Sequence, residues 1–339
     1  MTTQKKHHLS FKEQITLLKQ RNLIIEDEKS AEFFLQTISY NRFSSYRFPF
    51  LKNSIQDKET YKENTKFQDI ENIILADSEI SMLIFNILRG IELTLRTQIS
   101  YYFAKQDPHF YIDINNFNNQ KKTNDLIKNL KFPNIYEPTS FTSSFIDKID
   151  KKTNNSKSSC DDCKDYKCNN KNHFQNFWSA IENIDFGTLI DIYELSNQIQ
   201  EKQSIADFFD VNTPSDLTKI LSDLKRLRNI IAHHDKIISR YKFTRLSPSS
   251  LDIINKNSKN SIVLSTFIKK LPEHNLIHYH LLLKIFIKKI INYNKSHHLI
   301  NIFNKINSII LNNLKSIYKQ NYICDIKDLP SILTPLTTI

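Results

Sequence analysis

Residues 224–240 read Leu-Lys-Arg-Leu-Arg-Asn-Ile-Ile-Ala-His-His-Asp-Lys-Ile-Ile-Ser-Arg. Just upstream, Thr213 and Pro214 predict a helix start, with threonine as N-cap and proline at the first helical position. Leu217, Ile220, Leu221, Leu224, Leu227, Ile230 and Ile231 then recur at three and four residues. That is the apolar stripe of an amphipathic helix, predicted to run from about Pro214 to about His233. Its stripe should be buried against the helical residues 67–105. Polar residues interrupt the pattern near its end: Arg228, Asn229, His233 and His234. Asn229 and His233 are four apart and share a face. Arg228 lies about 140° from His233 in projection, and its long side chain can swing back toward the imidazole.

That set suits phosphodiester cleavage. Arginine offers phosphate a planar fork of donors and keeps its charge. Histidine titrates near neutral pH, so it can take a proton from a ribose 2′-hydroxyl or return one to the leaving oxygen. Asparagine can hold a phosphate oxygen or fix the imidazole tautomer. With the 2′-hydroxyl as nucleophile, no metal is needed. The plainer reading is a helix C-terminus whose cations complement the macrodipole.

The totals bound the rest. The chain has 339 residues, 40% hydrophobic and 11% aromatic, enough for a sizeable core. Two glycines in all argue against tight hairpins and against a Gly-rich phosphate loop. The formal net charge of +11 fits a nucleic-acid or anionic-membrane partner. Residues 276–293 are the most apolar region, but His278, His280, Lys284, Lys288 and Lys289 break it. No spanning helix of ~20 apolar residues is expected, and no signal peptide, so the expectation is a soluble, cytoplasmic protein without a membrane partner.

In chain order, Ser10 and Glu13 form a capping box that opens a first helix. A second helix from about Ser30 should turn Phe33, Phe34, Leu35 and Ile38 inward. Tyr40, Phe43 and Tyr46 then either pack on the core or stack with RNA bases, and Arg42 among them is a candidate RNA contact. Residues 67–105 are helical, with a break expected at Asp77 and Ser78. Glu92 and Arg96 share a face there, as site-lining residues or as a surface ion pair.

Residues 106–172 read as loop-rich. They carry Cys160-Asp161-Asp162-Cys163, then Cys168 and His173. The spacings of two, four and four match a zinc clip, and the alternative is a reduced loop. Trp178 reads as a core aromatic, and Gly187 as a point of close helix approach. Beyond Arg240 come Tyr241, Lys242, Phe243 and Arg245, then helices over about 262–319. His274, His278 and His280 read as solvated or core histidines. Lys284, Lys288 and Lys289 make a basic face.

Several of these blocks resemble one family. Arg228-Asn229-Ile230-Ile231-Ala232-His233 is similar to the Arg-x4-6-His motif of HEPN ribonucleases. Leu227 through His234 looks more specifically like the Abi-like family, the AbiD/AbiF abortive-infection proteins of bacteria. Phe11, Gln14, Leu18, Glu26-Asp27, Tyr40, Arg42 and Tyr46 match its N-terminal block. Glu92 and Arg96 match its Ile-Glu-x-x-x-Arg segment. Trp178, Glu182, Phe186, Gly187 and Leu189 match a further one. The family often has a Tyr-Tyr pair where this chain has Tyr40-Asn41. The resemblance covers about residues 10–245.

It implies an all-α fold: a HEPN-type helical bundle with a loop-rich insertion and a C-terminal helical extension. The expected division is an N-terminal helical region at 1–66, a HEPN-like core at 67–245 with a zinc-binding insertion at 151–173, and the extension at 246–339. The implied activity is metal-independent endoribonuclease cleavage in phage defence, with Arg228, Asn229, His233 and His234 catalytic. Glu92 and Arg96 would support them, Arg42 and Arg240 would contact RNA, and a structural zinc would sit on Cys160, Cys163, Cys168 and His173. A single motif per chain implies a homodimer. The implied partner is RNA, including a small structured non-coding RNA. The alternative is a non-catalytic RNA-binding or toxin–antitoxin partner protein.

Overall fold

The computed structural model describes residues 8–52, 59–118, 176–237, 245–258, 276–294, 301–302 and 304–309. Among them the chain is helical, with three isolated β-bridges and no strand. The fold is all-α.

The N-terminal helices are short and capped by local chemistry. In α1 (Phe11–Gln20) the Ser10 and Glu13 side chains satisfy each other's backbone N–H, the expected capping box. α2 (Glu28–Ile38) starts on Asp27, whose carboxylate accepts from the N–H of Lys29 and Ser30. α3 (Tyr40–Ser45) follows after the single residue Ser39. α2 buries Phe34 and Leu35 but leaves Phe33, expected inward, 67% exposed. At about 100° per residue Phe33 lies about 160° from Leu35 around the helix, so the face that buries Leu35 turns Phe33 outward.

α4 (Phe67–Phe103) is one helix of 37 residues, with no break at Asp77. Asp77 sits on the buried stripe instead, between Ile73, Ile74 and Ile80, and is 1% exposed. Tertiary hydrogen bonds to its carboxylate, described below, overrule the local preference of an Asp-Ser pair for a helix end.

After α4 the part of the loop-rich region that is described, residues 106–118, holds two 3-10 turns, Phe110–Ile112 and Ile114–Asn116. It is not peripheral: Phe110, Tyr111, Ile112 and Phe117 are buried and pack with Phe103 and Phe177. Then come α5 (Phe177–Ala180), a 3-10 turn (Ile181–Asn183), α6 (Phe186–Leu195), α7 (Ile199–Phe208), α8 (Pro214–Ala232), α9 (Pro248–Ser258) and α10 (Leu276–Asn294). α9 precedes the helices expected from about residue 262 and lies within the expected C-terminal helical extension. Trp178, expected in the core, is 48% exposed, while its neighbour Phe177 is fully buried.

Two hydrophobic cores result. The smaller runs from Ile15 to Ile74, combining α1–α3 with the first turns of α4. The larger runs from Ala76 to Ile306 and joins the rest of α4 to α5–α10. The C-terminal helices are part of this larger core, and α10 packs directly on α4. α4 thus threads both cores. No helix among the described residues is long and apolar enough to cross a membrane.

Candidate active site

The motif helix α8 is the centre of the larger core. It starts as its sequence requires: the Thr213 hydroxyl accepts from the N–H of Asp216 at 3.1 Å, and Pro214 occupies the first turn. Leu217, Ile220, Leu221, Leu224, Leu227, Ile230 and Ile231 are all buried, packed among α4, α6, α7 and α9. Each large aliphatic contributes about 1.5–3 kcal/mol on burial, so the helix backbone is firmly set. Gly187 of α6 faces Lys225 of α8: an added Cβ would stand 2.7 Å from the lysine Nζ, so the tip of a long side chain occupies the space above the glycine. Asp223, not anticipated from sequence, is buried. It accepts from the Ser247 N–H and the Ser250 hydroxyl at 2.7 Å each, tying α8 to the start of α9.

α8 ends at Ala232, with His233 as C-cap. The His234 N–H donates to the Ile231 carbonyl at 2.9 Å and the Asp235 N–H to the Ile230 carbonyl at 3.0 Å. This is the Schellman arrangement, and it places His234 in the left-handed region at φ 56°. Glycine is the usual residue there, because any Cβ is strained. This chain has histidine.

His233 and His234 are both exposed, and neither imidazole makes a hydrogen bond or ion pair among the described residues. Arg228 and Asn229 are half-buried. The Arg228 Nη1 donates to Asn229 Oδ1 at 3.4 Å, a long bond, and its Nε is buried without a hydrogen-bond partner. The end of α8 therefore presents a guanidinium, an amide and two imidazoles within one and a half turns.

The N-terminal core reaches this helix end. Arg42 of α3 donates from Nη1 to the His234 carbonyl at 2.6 Å, across 192 residues of sequence. Lys236 donates to the Ser45 carbonyl at 2.6 Å, and its ammonium lies 5.8 Å from the centre of the Tyr46 ring. Below them, the Asp77 carboxylate accepts from the Tyr46 hydroxyl at 2.7 Å and from the Ile237 N–H at 2.8 Å. Phe43 and Tyr46 are buried, so packing accounts for those two aromatics. Burial first, and the Asp77 carboxylate second, push the Tyr46 phenol well above its ordinary pKa, so it remains a donor.

Glu92 and Arg96 form an ion pair at 3.0 Å, but not at the surface. Arg96 is buried and turns its guanidinium onto the carbonyls of Ile181 and Ile184, the latter at 2.9 Å. Among the described residues, neither side chain bonds to Arg228, Asn229, His233 or His234. Together they clamp the turn that leads into α6, which packs on α8. Cys160, Cys163, Cys168, His173 and Arg240 lie outside the described residues.

Sequence reasoning missed Asp77 and Lys236. The signal for Asp77 was an acidic residue on an otherwise apolar stripe. Lys236 carried none, since the Ser45 carbonyl and the Tyr46 ring that it meets lie on a distant segment.

No curated protein and no solved structure matches the chain. A family profile does: that of the Abi-like proteins, over residues 33–239. The match takes in Tyr40, Arg42 and Tyr46 at one end and Arg228 through His234 at the other, the two segments that meet in the folded molecule. It covers more than half of the chain, which belongs to the Abi-like family of abortive-infection proteins.

Proposed function

We propose that this protein acts in phage defence as a metal-independent HEPN endoribonuclease. The observation that carries the reading is the end of α8: two exposed imidazoles beside an arginine Nε, all three without a hydrogen-bond partner among the described residues. A left-handed histidine where glycine is easier adds to it, because backbone strain is retained where a side chain is needed. The net charge of +11 favours RNA as partner.

In this reading His233 takes the 2′-hydroxyl proton, and the oxygen attacks the adjacent phosphorus. Arg228 stabilises the charge that gathers on the phosphorane. Asn229 positions a phosphate oxygen, and His234 assists proton transfer to the leaving 5′-oxygen. The products are a 2′,3′-cyclic phosphate and a 5′-hydroxyl. Arg42 sits on the His234 carbonyl with donors to spare, so it would bind the next phosphate, and Arg240 would extend the track. Glu92 and Arg96 support the site through the α6 turn. Pairing of two motifs in a homodimer would supply a second acid, and a small structured RNA is a fitting regulatory partner. We also propose a structural zinc on Cys160, Cys163, Cys168 and His173, which elemental analysis of the purified protein would detect at about one equivalent.

The test is cleavage of single-stranded RNA in EDTA. New ends bearing a cyclic phosphate are expected, with His233→Ala or Arg228→Ala lowering the rate by about 10²–10⁴-fold. Tight, salt-dependent binding that leaves the RNA intact would instead identify a non-catalytic RNA-binding or toxin–antitoxin partner.

A further inference from the structure

We propose that Asp77 and Tyr46 are positioning residues for the α8 site: they hold the turn that carries His233 and His234. The consequence for catalysis rests on the ribonuclease reading above; the structural role rests on geometry alone.

Asp77 occupies a stripe position of α4 where an aliphatic residue would pack without cost. A buried carboxylate there loses its hydration, and among its donors are a phenol and a backbone N–H, which bring no charge to offset that loss. Such an arrangement is a poor way to stabilise a fold compared with a well-packed apolar side chain. What it does achieve is a meeting of three segments, since Tyr46 and Ile237 lie 31 and 160 residues away from it in sequence.

The segment that benefits is the one after the helix. α8 ends at Ala232, and the His233 N–H makes its last regular bond, to the Asn229 carbonyl at 3.0 Å, so residues 234–237 are outside its regular bonding. Beyond the two Schellman bonds, bonds between described residues hold the turn at Arg42 on the His234 carbonyl, Lys236 on the Ser45 carbonyl, and Asp77 on the Ile237 N–H. Arg42 and Lys236 are long, partly exposed side chains. Asp77, Tyr46 and Ile237 are each 1% exposed or less, so this third point is the rigid one. Without it the turn would keep its hinge at His234 but lose its far anchor. The two imidazoles would then sample orientations instead of holding one, and small misplacements of a catalytic group are costly in rate.

The experiment uses the full-length protein and two readouts. One is residue-resolved amide hydrogen exchange. The other is kcat and KM for cleavage of a fluorescent single-stranded oligoribonucleotide in EDTA. Tyr46→Phe removes one donor to Asp77 while keeping the ring. It should speed exchange at residues 233–237 by roughly ten- to hundredfold. It should lower kcat by about tenfold or more with KM within about twofold.

Asp77→Asn keeps an oxygen to accept the Ile237 N–H and should fall between wild type and Tyr46→Phe on both readouts. Tyr193→Phe is the control: it deletes another buried phenol hydrogen bond, to the Lys202 carbonyl at 2.9 Å, and should leave 233–237 as in wild type. Unchanged exchange at 233–237 in Tyr46→Phe overturns the proposal. So does faster exchange with kcat unaltered, or equal acceleration in Tyr193→Phe. If the wild-type protein cleaves no RNA, the ribonuclease reading falls, and the exchange result alone decides whether the pair holds the turn.

Discussion

The two cores are built on different terms. The smaller one, Ile15 to Ile74, uses short helices with side-chain caps and a knot of aromatics: Phe43 stacks on Phe67 at 4.5 Å, and Phe34 meets Phe67 edge-on at 5.8 Å. The larger one, Ala76 to Ile306, is mostly aliphatic and surrounds α8. α4 passes from one to the other between Ile74 and Ala76, and Asp77 stands at that passage. The larger core supplies the motif helix. The smaller one supplies Arg42, Tyr46 and the Ser45 carbonyl, which fasten the end of that helix. Neither core alone builds the site; it forms at their seam.

The largest expected effect comes from breaking the smaller core by itself. Phe43→Ala empties a fully buried ring position and should cost about 3–5 kcal/mol. Amide protection over residues 11–46 should then fall while α6–α10 keep theirs. Uniform loss over the whole chain would mean that the cores fold as one cooperative unit.

Acid should act on the larger core first. His280 of α10 is buried and bonded to Asn307 at 2.7 Å. Burial, with a smaller push from Lys284, lowers its pKa to about 4 against the Asn307 bond. Above an unfolded value near 6.5 it is neutral in both states. As pH falls from 6.5 toward 4, the unfolded chain takes up a proton that the folded chain refuses. Stability is lost across that window, about 3 kcal/mol in all, and the loss stops below it. Urea unfolding against pH should show this slope, and His280→Gln should flatten it.

A smaller change tests the clamp at the α6 turn. Arg96→Lys keeps the charge but cannot reach two carbonyls and Glu92 at once. A loss of about 1.5–3 kcal/mol is expected by denaturant unfolding. RNA cleavage measured at a temperature where the variant remains folded should fall less than for Arg228→Ala, since Arg96 acts from a distance.

The smallest effect has the opposite sign. His234→Gly relieves the left-handed strain and should raise stability by about 1 kcal/mol. If the His234 imidazole assists cleavage, the more stable variant will be the slower enzyme. A variant both more stable and equally fast would remove His234 from the chemistry.

Much of this was legible beforehand. The start and stop of α8 follow from Thr213, Pro214 and a seven-member apolar stripe, and the helix lies where the pattern puts it. The capping box at Ser10 was equally readable, because it depends on residues three positions apart. The misses share a cause. Asp77-Ser78 looks like a helix break, and Trp178 looks like core, only so long as the neighbours in space are unknown.

The sequence by itself determined the helical class, the motif helix and the identity of the groups at its end, since periodicity and caps are short-range properties. It also carried the family resemblance, in blocks of a few residues each. Only the tertiary structure decided which of those blocks meet. Arg42 lies 192 residues from His234, and Asp77 160 from Ile237. No local energy couples positions so far apart. They are brought together because α4 runs through both hydrophobic cores and burying both leaves its one buried acid facing the end of α8. That is also why Arg96, an apparent surface partner of Glu92, turned inward: it gives a donor to the buried Ile184 carbonyl and adds one to the Ile181 carbonyl, which the turn itself reaches only through the Ile184 N–H at 3.5 Å.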